Sequence, residues 1–173
     1  MKITGIRAVV VNAQMRNWVF VKVETDEGVT GWGEASLEWK TRGVVGCIED
    51  LAPMAVGLDP RRIEHLYQVM NRHAFFRAGV VGMSALSGIE QACWDIFGKS
   101  LGVPCWQLFG GKFHEKLRVY ANGWYRGERT PQSFALRAAE LASQGYTAMK
   151  FDPFGGAYQQ ISRESEDLSI AIV

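Results

Sequence analysis

The chain has 173 residues, of which 47% are hydrophobic and 21% are charged, and its formal net charge is +1. This length allows one core or two small ones, and the near-neutral charge lacks the basic excess that nucleic acid or an anionic membrane attracts. No apolar run approaches the roughly 18 residues that span a bilayer, and residues 1–4 begin an alternating strand rather than a signal peptide. We therefore expect a cytoplasmic protein that binds neither nucleic acid nor membrane.

Three segments near the N-terminus have the composition of β-strands. Residues 2–11, 18–25 and 29–35 are rich in β-branched and aromatic side chains, and residues 26–28 have the turn-forming sequence Asp-Glu-Gly. The pattern predicts a three-stranded antiparallel meander.

Helical periodicity follows the meander. Asp59 is predicted to cap a helix that has Pro60 at its first position, and residues 80–101 are predicted to form a long helix that Gly102 ends. Apolar side chains recur in that long helix at intervals of three and four residues, which predicts one buried stripe: Met83, Leu86, Ile89, Cys93, Ile96 and Phe97. An α+β domain over residues 1–113 is the expected architecture.

From Lys116 the pattern changes to alternating strands and helices. It predicts a strand at 117–121, a helix at 131–144 between the cap Thr130 and the stop Gly145, a strand at 146–151 and a second helix starting near 162. Residues 114–173 are therefore expected to be the first βαβα part of a parallel barrel.

The end of the second of these strands carries the strongest candidate site. Lys150 and Asp152 are two residues apart and share one face of a strand, while Met149 and Phe151 take the other. Pro153 cannot continue the ladder, so the pair lies at the carboxyl end, where barrel enzymes have their active sites. The spacing alone favours a simple ion pair, and the barrel context favours a catalytic role.

Tyr120 and Asn122 are expected at the same end of the preceding strand, with Trp124 in the loop that follows. All three are weaker candidates than Lys150 and Asp152, because aromatic residues at this position also serve in packing alone.

Other motifs are weaker. The three cysteines are odd in number and have no Cys-x-x-Cys spacing, so they are interpreted as small buried hydrophobes. The three histidines match no metal motif and are expected to be surface or capping residues. Residues 31–33 (Gly-Trp-Gly) and 110–113 (Gly-Gly-Lys-Phe) lack the remaining residues of nucleotide-binding loops and are interpreted as turns.

One long segment resembles a known family. Residues 85–99 (ALSGIEQACWDIFGK) and 104–111 (PCWQLFGG) are similar to the signature helix of the mandelate racemase and muconate lactonizing enzyme group of the enolase superfamily. Together with Gly31–Glu34 and the Lys150 strand, the resemblance covers essentially all of the chain.

The resemblance implies an α+β capping domain, two of whose loops close over a (β/α)₇β barrel. The polar segments 12–17 and 36–42 correspond to those loops and are candidates for mobile lids. Arg16 and Trp39 on them, together with Asn122 and Trp124, are the candidate substrate-binding residues.

The resemblance also implies a chemistry in which a base removes the proton α to a carboxylate and Mg²⁺ stabilises the enediolate. Racemases of this group end the second barrel strand with Lys-x-Lys, whereas here Lys150 is followed by Asp152, which would raise the pKa of the lysine. The residues therefore resemble those of the acid-sugar, galactonate-type dehydratases, with Lys150 and Asp152 as candidate catalytic residues. A racemase, epimerase or cycloisomerase and a non-catalytic module are the alternatives.

In this family the Mg²⁺ ligands come from the third, fourth and fifth barrel strands, so no metal ligand is assigned within these 173 residues. The chain is expected to be the N-terminal portion of a longer enzyme and to be inactive alone. The expected partners are a small sugar acid and further copies of the same chain.

Overall fold

A computed structural model describes residues 1–157 and 159–173. The chain divides into two compact units, Met1–Phe113 and His114–Val173.

The sheet of the first unit is the predicted antiparallel meander. Its strands are β1 (Ile3–Ala13), β2 (Arg16–Thr25) and β3 (Thr30–Glu34), in the order β1-β2-β3. β2 lies in the centre, and β3 is an edge strand.

The polar segment 12–17 is not a loop, and this prediction was wrong. Asn12 pairs with Asn17 and Ala13 pairs with Arg16, so only a two-residue turn joins β1 to β2. The polar side chain of Asn12 stabilises the hairpin turn, because its carboxamide oxygen accepts the Gln14 N–H at 3.1 Å. Gln14 takes the left-handed φ of 63° that a tight hairpin requires.

Four helices complete the first unit: α1 (Thr41–Ala55), α2 (Ile63–Arg72), α3 (Gly79–Leu101) and the short α4 (Cys105–Leu108). The sequence pattern missed α1. The long helix is confirmed, and Gly102 ends it with a φ of 69°.

The predicted start of α2 was three residues too early. Asp59 does not cap the helix; its carboxylate accepts the Arg61 N–H at 3.0 Å and binds the Arg61 guanidinium with both oxygens. This closes a separate turn over Pro60, and α2 begins after it at Ile63.

The core lies between one face of the sheet and helices α1, α2 and α3. It includes Val19, Val21 and Val23 of β2 and the predicted stripe of α3, with two corrections. Met83 is 36% exposed, because the buried face runs through Gly82 and Leu86 and the residue after Gly82 is turned by about 100°. Phe97 is only partly buried.

Helix α3 and strand β3 approach each other closely, which corrects the interpretation of residues 31–33 as a turn. A Cβ at Gly31 would lie 2.0 Å from the Ala92 carbonyl oxygen, and one at Gly33 would lie 2.0 Å from the Gly88 carbonyl oxygen. Both glycines belong to β3. Any side chain there would separate the helix from the strand.

The second unit contains helices α5 (Pro131–Ser143) and α6 (Arg163–Ile172), close to their predicted bounds. Thr130 caps α5 through a reciprocal capping box with Ser133, as predicted for the cap. In α6, the Ser162 hydroxyl accepts the Ser165 N–H at 3.2 Å.

The two predicted strands of this unit are shorter than expected. Segments 117–121 and 146–151 meet at one parallel bridge, between Ala121 and Met149. The parallel direction is as predicted. Beside the bridge the Arg118 guanidinium donates to the Thr147 carbonyl oxygen at 2.8 Å and to its hydroxyl at 3.0 Å, so a side chain joins the segments where a longer ladder was expected.

Within the residues described, none of the helices combines the length and the apolarity that crossing a bilayer requires.

Candidate active site

Lys150 lies at the carboxyl end of the parallel bridge of the second unit. Its backbone N–H donates to the Ala121 carbonyl oxygen at 2.8 Å, and its carbonyl oxygen accepts the Trp124 indole N–H at 3.0 Å. The main chain of Lys150 is therefore fixed on both sides, while its side chain is exposed. Asn122, which directly follows Ala121, is exposed at the same end of the bridge.

Asp152 starts a tight turn immediately after Lys150. Its Oδ1 accepts the Phe154 N–H at 2.9 Å, an arrangement in which an aspartate mimics a backbone turn. The Pro153 carbonyl oxygen then accepts from the Arg129 guanidinium and from the Ser169 hydroxyl, the latter at 2.9 Å. The loop that carries Asp152 is thus attached to residues from two other parts of the unit.

Gly155 completes this loop with a φ of 62°. A Cβ at this position would lie 2.6 Å from a guanidinium nitrogen of Arg129. The absence of a side chain therefore lets Arg129 reach the loop.

An aromatic cluster supports the opposite face of the Lys150 segment. Trp124, Tyr125, Phe134 and Phe151 have ring centroids 5.6–6.4 Å apart, and Phe134 is 3% exposed. Phe151 faces this cluster while Lys150 and Asp152 are exposed, so the predicted alternation of faces is confirmed. The Trp124 ring packs in this cluster, and its indole N–H donates to the Lys150 carbonyl oxygen.

The ion pair between Lys150 and Asp152 that spacing favoured is not formed in the part of the chain that the structure describes. Asp152 instead uses one carboxylate oxygen in its own turn. Both charged groups are exposed and available to a ligand.

The candidate residues of the first unit lie on neighbouring segments. The Arg16 guanidinium, at the start of β2, is 2.6 Å from the Glu38 carboxylate, and both side chains are about half exposed. Glu38 belongs to the connection between β3 and α1. This ion pair joins the two segments that the resemblance identifies as capping loops.

Trp39 follows Glu38 in a turn that the Lys40 N–H closes on the Leu37 carbonyl oxygen at 3.1 Å. Its φ is 58° and its side chain is 80% exposed. Left-handed backbone of this kind normally favours glycine or asparagine, and a bulky residue there is held at a cost of order 1–3 kcal/mol. A large apolar ring is therefore displayed at the surface by a strained turn.

The sequence analysis missed a polar row on α3 that binds the edge of β3. The Asp95 carboxylate accepts the Trp32 N–H at 2.9 Å, the Gln91 carboxamide accepts the Glu34 N–H at 3.1 Å, and the Lys99 ammonium donates to the Thr30 carbonyl oxygen at 2.8 Å. The three α3 residues are spaced by four, so they lie on one helix face. The four-residue spacing of these polar side chains was the feature of the sequence that could have predicted the row. Their contacts occupy an edge that would otherwise be open to another strand.

The other titratable groups of the described residues form no second site. Over the ranges 1–157 and 159–173, the structure holds no group of three or more His, Cys, Asp or Glu that could bind a metal ion. Burial raises the pKa of the Cys93 thiol to about 12, with a smaller contribution from Glu90, so this cysteine is a core residue. The His73 ring lies 2.7 Å from the Met70 carbonyl oxygen at the end of α2, which confirms a capping role.

Comparison with known proteins gives the family. Residues 3–110 match the family described as "Mandelate racemase / muconate lactonizing enzyme, N-terminal domain". The chain is 44% identical over 135 residues to the D-galactonate dehydratase of Xanthomonas oryzae pv. oryzae, a match covering 78% of this chain and 35% of that protein. The chain thus spans about a third of the length of the curated relatives that it matches.

Solved structures extend the similarity to the second unit. A crystal structure described as a putative dehydratase from Mesorhizobium loti matches 99% of this chain and 48% of its own, with a TM-score of 0.92 and 38% identity. An enolase from Pantoea ananatis with bound D-gluconate and Mg matches 86% of this chain and 35% of its own, with a TM-score of 0.78 and 32% identity.

These matches confirm the predicted fold class, a capping domain followed by an incomplete barrel, and the predicted resemblance. The chain belongs to the mandelate racemase and muconate lactonizing enzyme family of the enolase superfamily.

Proposed function

We propose that this chain is the N-terminal portion of an enzyme that dehydrates a sugar acid. The observation that carries the proposal is the 44% identity to D-galactonate dehydratases over 135 residues. The D-gluconate in the Pantoea ananatis neighbour is a second sugar acid bound by a protein of similar fold. We also propose a cytoplasmic location, in keeping with a substrate that is a small polar metabolite.

The proposed reaction removes the proton α to the carboxylate, and the C–H electrons form an enediolate. The β-hydroxyl then leaves with a proton as water, and the resulting enol tautomerises to a ketone. Because the α-proton is very weakly acidic, the enzyme must stabilise the charge that develops on the carboxylate oxygens.

Lys150 is proposed to bind the substrate carboxylate. Its main chain is held by Ala121 and Trp124, and its ammonium group has no carboxylate partner within the described residues. A cation that is positioned but unpaired is suited to an anionic substrate group.

Asp152 is proposed to orient a substrate hydroxyl. Lys150 is the alternative partner of this carboxylate, but the two groups form no ion pair within the described residues, which favours the hydroxyl. Its Oδ1 is engaged by the Phe154 N–H, which leaves Oδ2 to accept from the substrate.

The other candidate residues are proposed to complete the binding site. Arg16 and Trp39 would contact the substrate from the capping domain, and Asn122 from the end of the bridge. Trp124 would act through Lys150, whose carbonyl oxygen it holds.

Mg²⁺ is proposed as the cofactor of the complete enzyme, where it would offset the charge of the enediolate. The described residues lack a donor set for this ion, so its ligands would come from other parts of the complete enzyme.

Two alternative functions are each compatible with particular features of the described residues. A racemase, epimerase or cycloisomerase of the same family would keep the Lys150 contact but needs a base on another part of the enzyme, since Asp152 replaces the second lysine. A non-catalytic module is compatible with the lack of a metal-binding group in the described residues.

The test is substitution of Lys150 in the complete protein. We expect Lys150→Ala to lower kcat/KM on the best substrate among a panel of hexonates and pentonates by about two to three decades, because the substrate anion loses its cation. Asp152→Asn keeps the shape and one acceptor and should lose less. Steady-state kinetics measures both, with circular dichroism to verify the fold.

Lys116→Ala is the matched control, since this lysine is also exposed in the second unit but has no assigned role. Activity of Lys150→Ala equal to that of the control would refute the role of Lys150.

Product analysis decides the reaction class: a keto acid and water support dehydration, an epimer or lactone supports isomerisation, and no turnover by the complete protein supports the non-catalytic module.

A further inference from the structure

Side chains, rather than a ladder of backbone hydrogen bonds, hold the loop that carries Asp152. The ladder of this segment ends at Lys150, whose N–H donates to the Ala121 carbonyl oxygen. Among the described residues that follow, the backbone hydrogen bond is from the Ala157 N–H to the Phe154 carbonyl oxygen at 3.3 Å, within the same stretch of chain. We call residues 152–155 the Asp152 loop. Contacts from other elements therefore decide where this loop lies.

Arg129 makes such a contact from a rigid position. It directly precedes Thr130, which caps α5 through the reciprocal capping box with Ser133. The Ser133 hydroxyl also donates to the Glu128 carbonyl oxygen at 2.7 Å. The main chain is thus fixed on both sides of Arg129, and only the side-chain torsions of the arginine remain free.

The guanidinium of Arg129 fits the Asp152 loop at two points. It donates to the Pro153 carbonyl oxygen, and one of its nitrogens lies 2.6 Å from the place where a Cβ of residue 155 would be. Residue 155 is glycine, so the planar group can lie against the loop backbone. A guanidinium presents several donors in a fixed plane, which suits it to hold a segment in one orientation.

Ser169 of α6 is a weaker attachment of the same loop. Its hydroxyl oxygen is 2.9 Å from the Pro153 carbonyl oxygen and 2.7 Å from the Ser165 carbonyl oxygen. A hydroxyl has one proton to donate, so these two carbonyl groups share it. Arg129 is therefore the donor that the Pro153 carbonyl does not have to share with Ser165.

We propose that Arg129 is a positioning residue for the reaction and acts through Asp152. By holding Pro153, the residue bonded to Asp152, it would keep Oδ2 of Asp152 where the substrate hydroxyl is bound. This inference rests on the proposed function, in which Asp152 orients that hydroxyl. It assigns no contact between Arg129 and the substrate.

The geometry predicts an effect on kcat rather than on KM. The main chain of Lys150, which is proposed to bind the substrate carboxylate, is held by Ala121 and Trp124. Without the Arg129 guanidinium the substrate would still bind, but its hydroxyl would lose a fixed orientation. We expect Arg129→Ala to lower kcat by about ten- to a hundredfold and to change KM by less than about threefold.

Arg163→Ala is the matched control. This arginine lies in the same unit, but its guanidinium is 3.5 and 3.9 Å from two carboxylates of its own helix, and its side chain is 84% exposed. Its kcat should stay within about twofold of wild type, as is usual for an exposed substitution. Steady-state kinetics of the complete protein gives kcat and KM, and circular dichroism verifies that each variant is folded.

A double-mutant cycle tests whether Arg129 acts through Asp152. Residues that act as a unit are not additive, so Arg129→Ala should lower kcat by less than about threefold when Asp152→Ala is already present. If Arg129→Ala does not fold, Arg129→Lys takes its place in the same cycle. Lysine keeps the charge but lacks the planar fork, and the change in kcat should have the same direction.

Hydrogen exchange gives a measurement that needs no substrate. The Phe154 N–H is bonded to the Asp152 carboxylate, so its exchange reports on the Asp152 loop. We expect Arg129→Ala to accelerate exchange in residues 152–157 of the complete protein by about threefold or more, without a change in strand β2 of the first unit. Mass spectrometry of proteolytic peptides measures both segments.

Three results would each overturn the role of Arg129: an unchanged kcat in its variant, a loss of kcat that persists in full in the Asp152→Ala background, or unchanged exchange in the Asp152 loop. Failure of the proposed function gives a different result. A wild-type protein that forms no keto acid refutes the dehydration, whereas faster loop exchange in the same protein with Arg129→Ala would still show that Arg129 holds the Asp152 loop.

Discussion

Asp59 and Arg61 form a bidentate ion pair in the first unit. The bidentate contact, with Arg61 nitrogens at 2.7 and 3.0 Å from the carboxylate, lowers the pKa of Asp59 from 3.8 to about 2. A depressed carboxyl pKa stabilises the folded state above the unfolded pKa, and this stabilisation is lost as the pH falls from about 4 to 2.

We therefore expect Asp59→Asn to be less stable than wild type at pH 7, and the difference to shrink between pH 4 and pH 2. Because the pair is partly exposed, its effect should be about 1 kcal/mol or less. Urea denaturation at several pH values measures it, with the exposed Glu49→Gln as control. A difference that is independent of pH would contradict the assignment.

Trp39 illustrates a residue whose environment the sequence did not reveal. The polar stretch around it predicts a loop, but neither the left-handed backbone nor the ion pair of the preceding Glu38 with Arg16 follows from residue type. The pairing depends on the hairpin of β1 and β2 ending beside the connection from β3 to α1. The role of Trp39 in substrate binding stays a prediction.

At the scale of elements, α3 both covers the core and protects the edge of β3. Its buried face contacts the sheet through glycines 31, 33 and 88, while Gln91, Asp95 and Lys99 bind the strand backbone. The family signature over residues 85–99 thus has a structural explanation in the close contact between this helix and strand.

Asp95→Ala should reduce the free energy of unfolding by about 1–3 kcal/mol, because the Trp32 N–H and the Lys99 ammonium both lose their acceptor. Asp95→Asn retains an oxygen and should lose less. Urea denaturation of the two variants provides the comparison, and equal stability of Asp95→Ala and wild type would show that water replaces the carboxylate without loss.

The missed helix α1 shows why local pattern alone was insufficient. Its sequence contains Gly43, Gly46 and Pro53, which are poor helix formers. The helix forms because Val44, Ile48 and Leu51 are buried on one face against the rest of the unit, and this packing outweighs the weak local preference.

At the scale of the whole molecule, the two units differ in how many hydrophobic side chains they bury. Of the residues described, the buried hydrophobic core lies entirely within the first unit except for Phe134. The described residues of the second unit form a single parallel bridge and two helices. Its folding is therefore expected to depend on a larger assembly.

A chain of residues 1–113 should consequently fold alone and unfold cooperatively, whereas residues 114–173 alone should not. Thermal unfolding followed by circular dichroism, with amide-proton dispersion by NMR, tests both pieces. The opposite result, a disordered 1–113 or a cooperatively folded 114–173, would show that the buried side chains do not report where stability lies.

The sequence by itself determined the strands of the meander, the long helix with its stop at Gly102, the capped helix after Thr130 and the family. The strands and helices depend on interactions between residues close in the chain, and the family assignment depends on a long matching segment. The order of residues along the chain is therefore sufficient to predict them. The tertiary structure decided the rest: the extension of the hairpin to Ala13 and Arg16, helix α1, the α3 contacts to β3, and the unpaired state of Lys150 and Asp152. Each of these depends on which distant groups come within hydrogen-bonding or packing distance, and spacing along one chain does not specify that.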